Sequence, residues 1–264
     1  MGAYEEDLVK RTLERFRNRI SFASMFGSYV RGEHDDYSDL DVFVVCRDRE
    51  DEPFVNEALT SLSRRIGRRI HVNIYAQNLL EERVRHHDYL IASILEDSIP
   101  IIGEINLEEA RSRILNGVPN SESINFNIAM GRRILARTES RLRGFKKHLE
   151  AYQPITITRD HIKENMLRFL EDYQVALGYL TASLEMNRLC GVITFRRLLS
   201  LDSGFPLRRI LMAERSLRRG WKAPASLLQN EVLENLTELT RVKSGGAAYR
   251  PTGFLRNLWY RPLL

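Results

Sequence analysis

Residues 27–41 read GSYVRGEHDDYSDLD: a Gly-Ser pair, a short basic stretch, and then two aspartates, Asp39 and Asp41, with one apolar residue between them. In a β-strand, residues i and i+2 point to the same face. Asp39 and Asp41 are therefore expected side by side on one face of a strand, with Leu40, Val42 and Val44 burying the other. Two carboxylates held in that way offer hard oxygen donors. They suit Mg²⁺, which keeps several waters and is commonly shared between one or two carboxylates and phosphate oxygens.

The Gly-Ser pair supplies the other half of the pattern. Ile20 to Phe26 is a short apolar strand, Gly27 interrupts it, and Ser28 opens a helical turn running toward Arg31 and Gly32. Glycine lets the backbone approach a phosphate closely, and the first amides of a helical turn point free N–H groups at it. The Ser28 hydroxyl can donate to the same oxygens, and Arg31, about one turn on, can add a charge-assisted contact. An anion on one side and a divalent cation on the other describe a nucleoside triphosphate with its metal.

Taken together, these residues resemble the signature of the DNA polymerase beta-like nucleotidyltransferase superfamily in its small, minimal form. That pattern is a Gly-Ser after a strand, then about ten residues, then Ser-Asp-x-Asp opening the next strand, with a third carboxylate on a later strand. Gly27, Ser28, Ser38, Asp39 and Asp41 match it position by position, and Arg31-Gly32 match the usual Arg-Gly. The resemblance covers roughly residues 1–104. It implies a transferase that binds an NTP, with ATP as the first choice, through Gly27, Ser28, Arg31 and Ser38. It also implies that Asp39 and Asp41 hold Mg²⁺, or Mn²⁺ in its place, and carry catalysis.

The chain departs from the pattern further along. A helical stretch from Glu52 to Arg68 leads into Ile70-His71-Val72-Asn73-Ile74-Tyr75, the strand that in the family bears the third carboxylate. Its slot is Asn73. An amide can coordinate through its carbonyl oxygen, but it cannot act as a base and adds no negative charge. The similarity to aminoglycoside nucleotidyltransferases allows a replacement from elsewhere, with Glu81, Glu82, Glu164, Glu171 and Asp172 as candidates. His71 lies on the Asn73 face and is a candidate acid, base or ligand. The competing reading is a nucleotide-binding regulatory or antitoxin-like module with little or no turnover.

Outside the motif, composition narrows the class. The chain has 264 residues, 43% of them apolar, and two cysteines, Cys46 and Cys190, that make neither a zinc pattern nor a disulfide framework. No apolar run approaches the roughly 18 residues of a membrane span. The acidic start at Glu5, Glu6 and Asp7 lacks the form of a signal peptide, so a cytoplasmic protein without membrane contact is expected. Leu8, Leu13 and Phe16 among charges indicate an N-terminal amphipathic helix.

Past residue 104 the period changes to that of helices. Residues 79–97 form one expected helix and Ile99 to Ile102 a strand. Helices are then expected over 121–151, 159–185, 192–201, 205–219 and 225–241, followed by a basic, aromatic tail over 244–264. The fold class is α+β: an N-terminal mixed sheet with flanking helices over 1–104, an all-α bundle over 105–243, and the tail. Residues 1–117 carry 16 Lys and Arg against 22 Asp and Glu, a balance of −6; the remainder carries 24 against 13, a balance of +11. A basic helical half suits RNA or another polyanion as partner, and the chain is also compatible with a homo-oligomer. Arg143, His148 and Tyr152 echo the order of the RNase motif of HEPN helical domains. Tyr152, however, falls four residues after the histidine where that family has two, so the expected bundle is HEPN-like or aminoglycoside-transferase-like without nuclease action.

Overall fold

The apolar run Ile20–Phe26 is strand β1 in the computed structural model of the chain, which describes residues 2–33, 38–151 and 159–204 together with Leu207, Arg208, Ile210, Leu211 and Glu214. Helix α1 (Gly2–Glu14) precedes it, and the short α2 (Gly27–Val30) follows directly. Next come β2 (Leu40–Cys46), α3 (Glu52–Ile66), β3 (Ile70–Ala76), α4 (Gln77–Arg85), α5 (Tyr89–Asp97), β4 (Ile99–Ile102) and α6 (Glu104–Leu115). The four strands form one mixed sheet in the order β3-β2-β1-β4. β1 is antiparallel to β2 and β4, while β2 and β3 are parallel and joined by the α3 crossover. Helix α3 is set by a proline in its first turn and by Gly67, whose φ of 66° ends it in the left-handed region.

Both faces of the sheet are buried, by alternate residues of the same strands. Leu40, Val42 and Val44 turn toward Val9 and Leu13 of α1 and Val55, Leu59 and Leu62 of α3. Phe22, Phe43 and Val45 turn the other way, toward Leu80, Val84, Ile91, Leu95, Leu107 and Ile114 of α4, α5 and α6. Full burial of each such side chain stabilises the fold by about 1.5–3 kcal/mol. Because α6 packs Leu107, Ala110 and Ile114 into this second core, the unit that carries the sheet continues past residue 104. Cys46 belongs to the first core, where burial first, then Asp51 and Glu52, push its thiol up to about 12.

The single helix expected over 79–97 is in fact two, α4 and α5. They part at His86-His87-Asp88, where His87 takes φ +48° and the fully buried Asp88 caps α5 by accepting from the amides of Leu90 and Ile91. A side-chain cap of this kind competes with the continuous helix that the apolar spacing alone would favour.

Two long helices follow, α7 (Ser121–Ala151) and α8 (Arg159–Leu189), then α9 (Phe195–Ser200). By contact the chain divides into a sheet-bearing unit, Met1–Asn127 with Ala182–Arg196, and a helical unit that begins with Ile128–Thr181 and resumes at Arg197. Within the helical unit α7 and α8 run antiparallel. Phe145 packs on Phe169 at 5.7 Å, Arg141 donates to Asp172 at 2.9 Å, and Gly131 lies under Tyr179 and Leu180. Among the described residues, no helix is long and apolar enough to cross a membrane. The expected helix over 225–241 and the tail 244–264 lie outside the described residues, as does most of 205–219.

Candidate functional site

Asp41 is the second residue of β2, and the sheet register places it in a row between Phe26 of β1 and His71 of β3. Asp39, expected on the same strand, lies just before its first residue, Leu40. Each carboxylate meets a basic group from the start of β3. Arg69 Nη1 lies 3.5 Å from Asp39 Oδ2, and His71 Nδ1 lies 3.1 Å from Asp41 Oδ1. Asp39 and Asp41 are largely buried, at 14% and 21% side-chain exposure, whereas Arg69 and His71 are about half exposed, at 48% and 51%.

Gly27 closes in on Asp41 from the β1 side. Its φ is +78°, and a Cβ built there would stand 2.3 Å from Asp41 Oδ2. Only glycine leaves that approach open. The turn of α2 then brings Ser28 around, half-buried, and closes through Arg31 N–H donating to the Gly27 carbonyl at 3.2 Å and Glu33 N–H to the Ser28 carbonyl at 2.9 Å.

Arg31 has an additional engagement that its place in the motif did not announce. Its Nη1 donates to Asp97 at 2.8 Å and its Nε to Glu33 at 3.3 Å. The guanidinium thus ties α2 to the end of α5, and a phosphate reaching Arg31 must share it with two carboxylates. Ser38 is held by a residue from outside the motif. Arg68 donates its Nε to the Ser38 carbonyl at 3.0 Å and its Nη1 to Glu5 at 2.7 Å, bracing the segment before Asp39 against α1. The signal for it was present in RRIGRR over residues 64–69, a cationic run entering the strand beside the aspartates.

Asn73 pairs with Phe43 in the β2–β3 register, one step of two residues from the Asp41–His71 pair, and so shares their face. Of the candidate replacements, Glu81 is exposed and accepts from Gln77 Nε2 at 3.4 Å. Glu82 is exposed on α4 as well. Glu164, Glu171 and Asp172 are on α8 in the helical unit. Asp172 is ion-paired with Arg137 and Arg141, and Glu164 with Arg168. Among the described residues no group of three or more His, Cys, Asp or Glu could hold a metal by itself. The donor set at Asp39 and Asp41 fits a hard divalent ion that takes its other oxygens from water and phosphate. The missing Cβ of Gly27 is what lets the turn after β1 stand against Asp41 Oδ2.

In the helical unit His148 is exposed, with its ring 6.3 Å from that of His161, and Arg143 is exposed beside Glu139. Tyr152, the third member of the motif-like trio, lies outside the described residues.

Residues 8–99 match the family model described as polymerase beta, nucleotidyltransferase. No curated protein is similar enough to the chain to count as a match. The matched segment contains β1, α2, β2 and β3, with Gly27, Ser28, Arg31, Ser38, Asp39, Asp41, Arg69, His71 and Asn73.

Proposed function

We propose that this chain, whose residues 8–99 match the polymerase beta nucleotidyltransferase family model, moves a nucleoside monophosphate from an NTP, ATP first, to a hydroxyl of an acceptor with release of pyrophosphate, with Mg²⁺ or Mn²⁺ at Asp39 and Asp41. The observation that carries this reading is the close approach of the Gly27 turn to Asp41, in the sheet row Phe26, Asp41, His71, where a Cβ on Gly27 would stand 2.3 Å from Asp41 Oδ2. The Gly27 backbone and the Ser28 hydroxyl hold the β- and γ-phosphates, Arg31 adds what its contacts with Asp97 and Glu33 leave it, and Ser38 closes the pocket before the first aspartate. A divalent ion bound by the two carboxylates supplies charge stabilisation to the in-line displacement. The chain's own contribution is positioning and fixed dipoles.

A second reading has its own support. Asn73 stands where the family places a carboxylate, and Arg69 and His71 already face the two aspartates, at 3.5 Å and 3.1 Å. On that reading the domain binds nucleotide as a regulatory or antitoxin-like module. Either proposal keeps a sheet-bearing part that runs past residue 104, a helical part and a tail from 244, with the basic helical part offered to RNA or another polyanion and self-association as a further option. A cytoplasmic setting, where NTPs are abundant, goes with both.

The test is Mg²⁺-dependent transfer of label from each NTP to RNA, protein or small-molecule hydroxyls, with Asp39→Ala plus Asp41→Ala as control. Nucleotide binding without transfer favours the regulatory reading. Label that persists in the double variant overturns the assignment of the two aspartates.

A further inference from the structure

Asp39 sits between two peptide groups that are both tied to the turn entering β3. The carbonyl ahead of it, that of Ser38, accepts from Arg68 Nε at 3.0 Å. The amide behind it, that of Leu40, donates to the Arg69 carbonyl at 3.0 Å. A residue has only two soft backbone torsions, so fixing the peptides on either side fixes the direction in which its side chain leaves the chain. The two ties differ in kind. The Leu40 bond runs backbone to backbone and does not depend on the side chain at position 69. The Ser38 bond belongs to the Arg68 side chain and is removed with it.

Arg68 is anchored at both ends. Gly67, in the left-handed region at φ 66°, turns the chain out of α3. Ser63 Oγ then donates to the Arg68 carbonyl at 2.8 Å and accepts from the Ile70 amide at 3.2 Å, which fixes the base of the side chain. Its tip is held by Glu5, which accepts from Nη1 at 2.7 Å, and both side chains are only 16% exposed. Glu5 stands on α1, whose Val9 and Leu13 are fully buried in the first core, so the ion pair has a rigid backing. A guanidinium serves both acceptors at once because its N–H groups are held in one plane, whereas an ammonium offers a single point of charge. Glu5 also lies ahead of the matched residues 8–99. Resting on the reading of Asp39 and Asp41 as the metal-binding pair of a nucleotidyltransferase, we infer that Arg68, backed by Glu5, is a positioning residue for the Asp39 carboxylate and sets the affinity of the site for its divalent ion.

The experiment titrates the full chain with Mn²⁺, with and without a fluorescent non-hydrolysable ATP analogue, and follows water-proton relaxation, which separates ion held by the protein from ion on free nucleotide. Anisotropy of the analogue and the melting temperature are measured on the same samples. Parent, Arg68→Ala, Arg68→Lys and Glu5→Gln are compared, with Arg65→Ala as a surface control and Asp39→Ala plus Asp41→Ala as the blank. Groups that orient a metal-binding side chain change metal affinity by about 10- to 100-fold when removed, so Arg68→Ala is expected to hold Mn²⁺ at least about tenfold more weakly. Arg68→Lys, which reaches one acceptor but not both, and Glu5→Gln, which keeps the acceptor oxygen without its charge, should fall between parent and alanine. A lowered melting temperature with parental Mn²⁺ affinity would make Arg68 a structural tie only and overturn the inference, leaving the nucleotidyltransferase reading intact. Should Arg68→Ala fail to fold, parental Mn²⁺ affinity in both Arg68→Lys and Glu5→Gln overturns it equally. Mn²⁺ held through Asp39, Asp41 and Arg68 by a chain that never binds the analogue would sink the nucleotidyltransferase reading and leave the positioning role standing. An undiminished Mn²⁺ signal in the double aspartate variant would overturn both.

Discussion

A Cβ on Gly27 would lie 2.3 Å from Oδ2 and 3.0 Å from Cγ of Asp41, so the turn after β1 and the carboxylate of β2 fit only while position 27 has no side chain. The backbone there is also left-handed, at φ +78°. Gly27→Ala therefore meets two penalties, one from conformation and one from the displaced Asp41. The first alone costs about 1–2 kcal/mol. The expected outcome is a lowered melting temperature together with lost Mg²⁺-dependent nucleotide binding; an alanine variant with parental affinity would remove Gly27 from the site.

Asn73→Asp adds a negative charge one register step from the Asp41–His71 pair with almost no change in shape. Metal-dependent transfer is expected to rise about tenfold, which corresponds to about 1.4 kcal/mol in the barrier. Single-turnover rates against Mg²⁺ concentration measure it. An unchanged rate would mean that this strand position does not limit the chemistry.

Asn127 is fully buried and serves several partners at once. Its Oδ1 accepts from the Tyr89 amide at 2.8 Å, and its Nδ2 donates to the carbonyls of Ser123, His86 and His87 at 2.8–3.2 Å. Asn127→Ala leaves those groups without their buried partner and is expected to cost about 2–4 kcal/mol. Chemical denaturation gives the number, and a loss below about 0.5 kcal/mol would show that water replaces the amide at no cost.

Burial, and then its neighbour His86, hold the His87 pKa below its ordinary value. The unfolded chain takes up a proton near pH 6.5 while the folded chain resists it. The contribution of His87 is thus intact above that pH and turns destabilising as the pH falls through 6.5 toward 5. His87→Asn, a residue type that tolerates the φ of +48° found there, should flatten the fall of melting temperature between pH 7 and pH 5. Parallel curves for parent and variant would contradict this.

The strands were legible because short apolar runs bounded by glycine and charge leave few alternatives: Ile20–Phe26 and Ile99–Ile102 fall where expected, and β3 runs one residue further, to Ala76. The aspartate pattern was legible because period two is local. Three things were not, two of them because their partners are remote in sequence and the third because a local pairing is buried. Arg31 is claimed by Asp97, 66 residues away. Arg68 clamps Ser38 and Glu5 over 30 and 63 residues. The break between α4 and α5 depends on Asp88, which reads as an ordinary polar position until its buried pairing with Arg83 and its capping bonds are seen.

The register of β2 sets a rule for how this domain can change. Both faces of that strand are packed, so a slip of one residue would bring Asp41 into the core with Leu40's neighbours and leave Val42 beside Gly27. A variant that misplaces the carboxylate in this way also misfolds. Length change within the strand is therefore excluded by the same packing that keeps Asp41 in place, and the chemistry of the site is inherited together with the core.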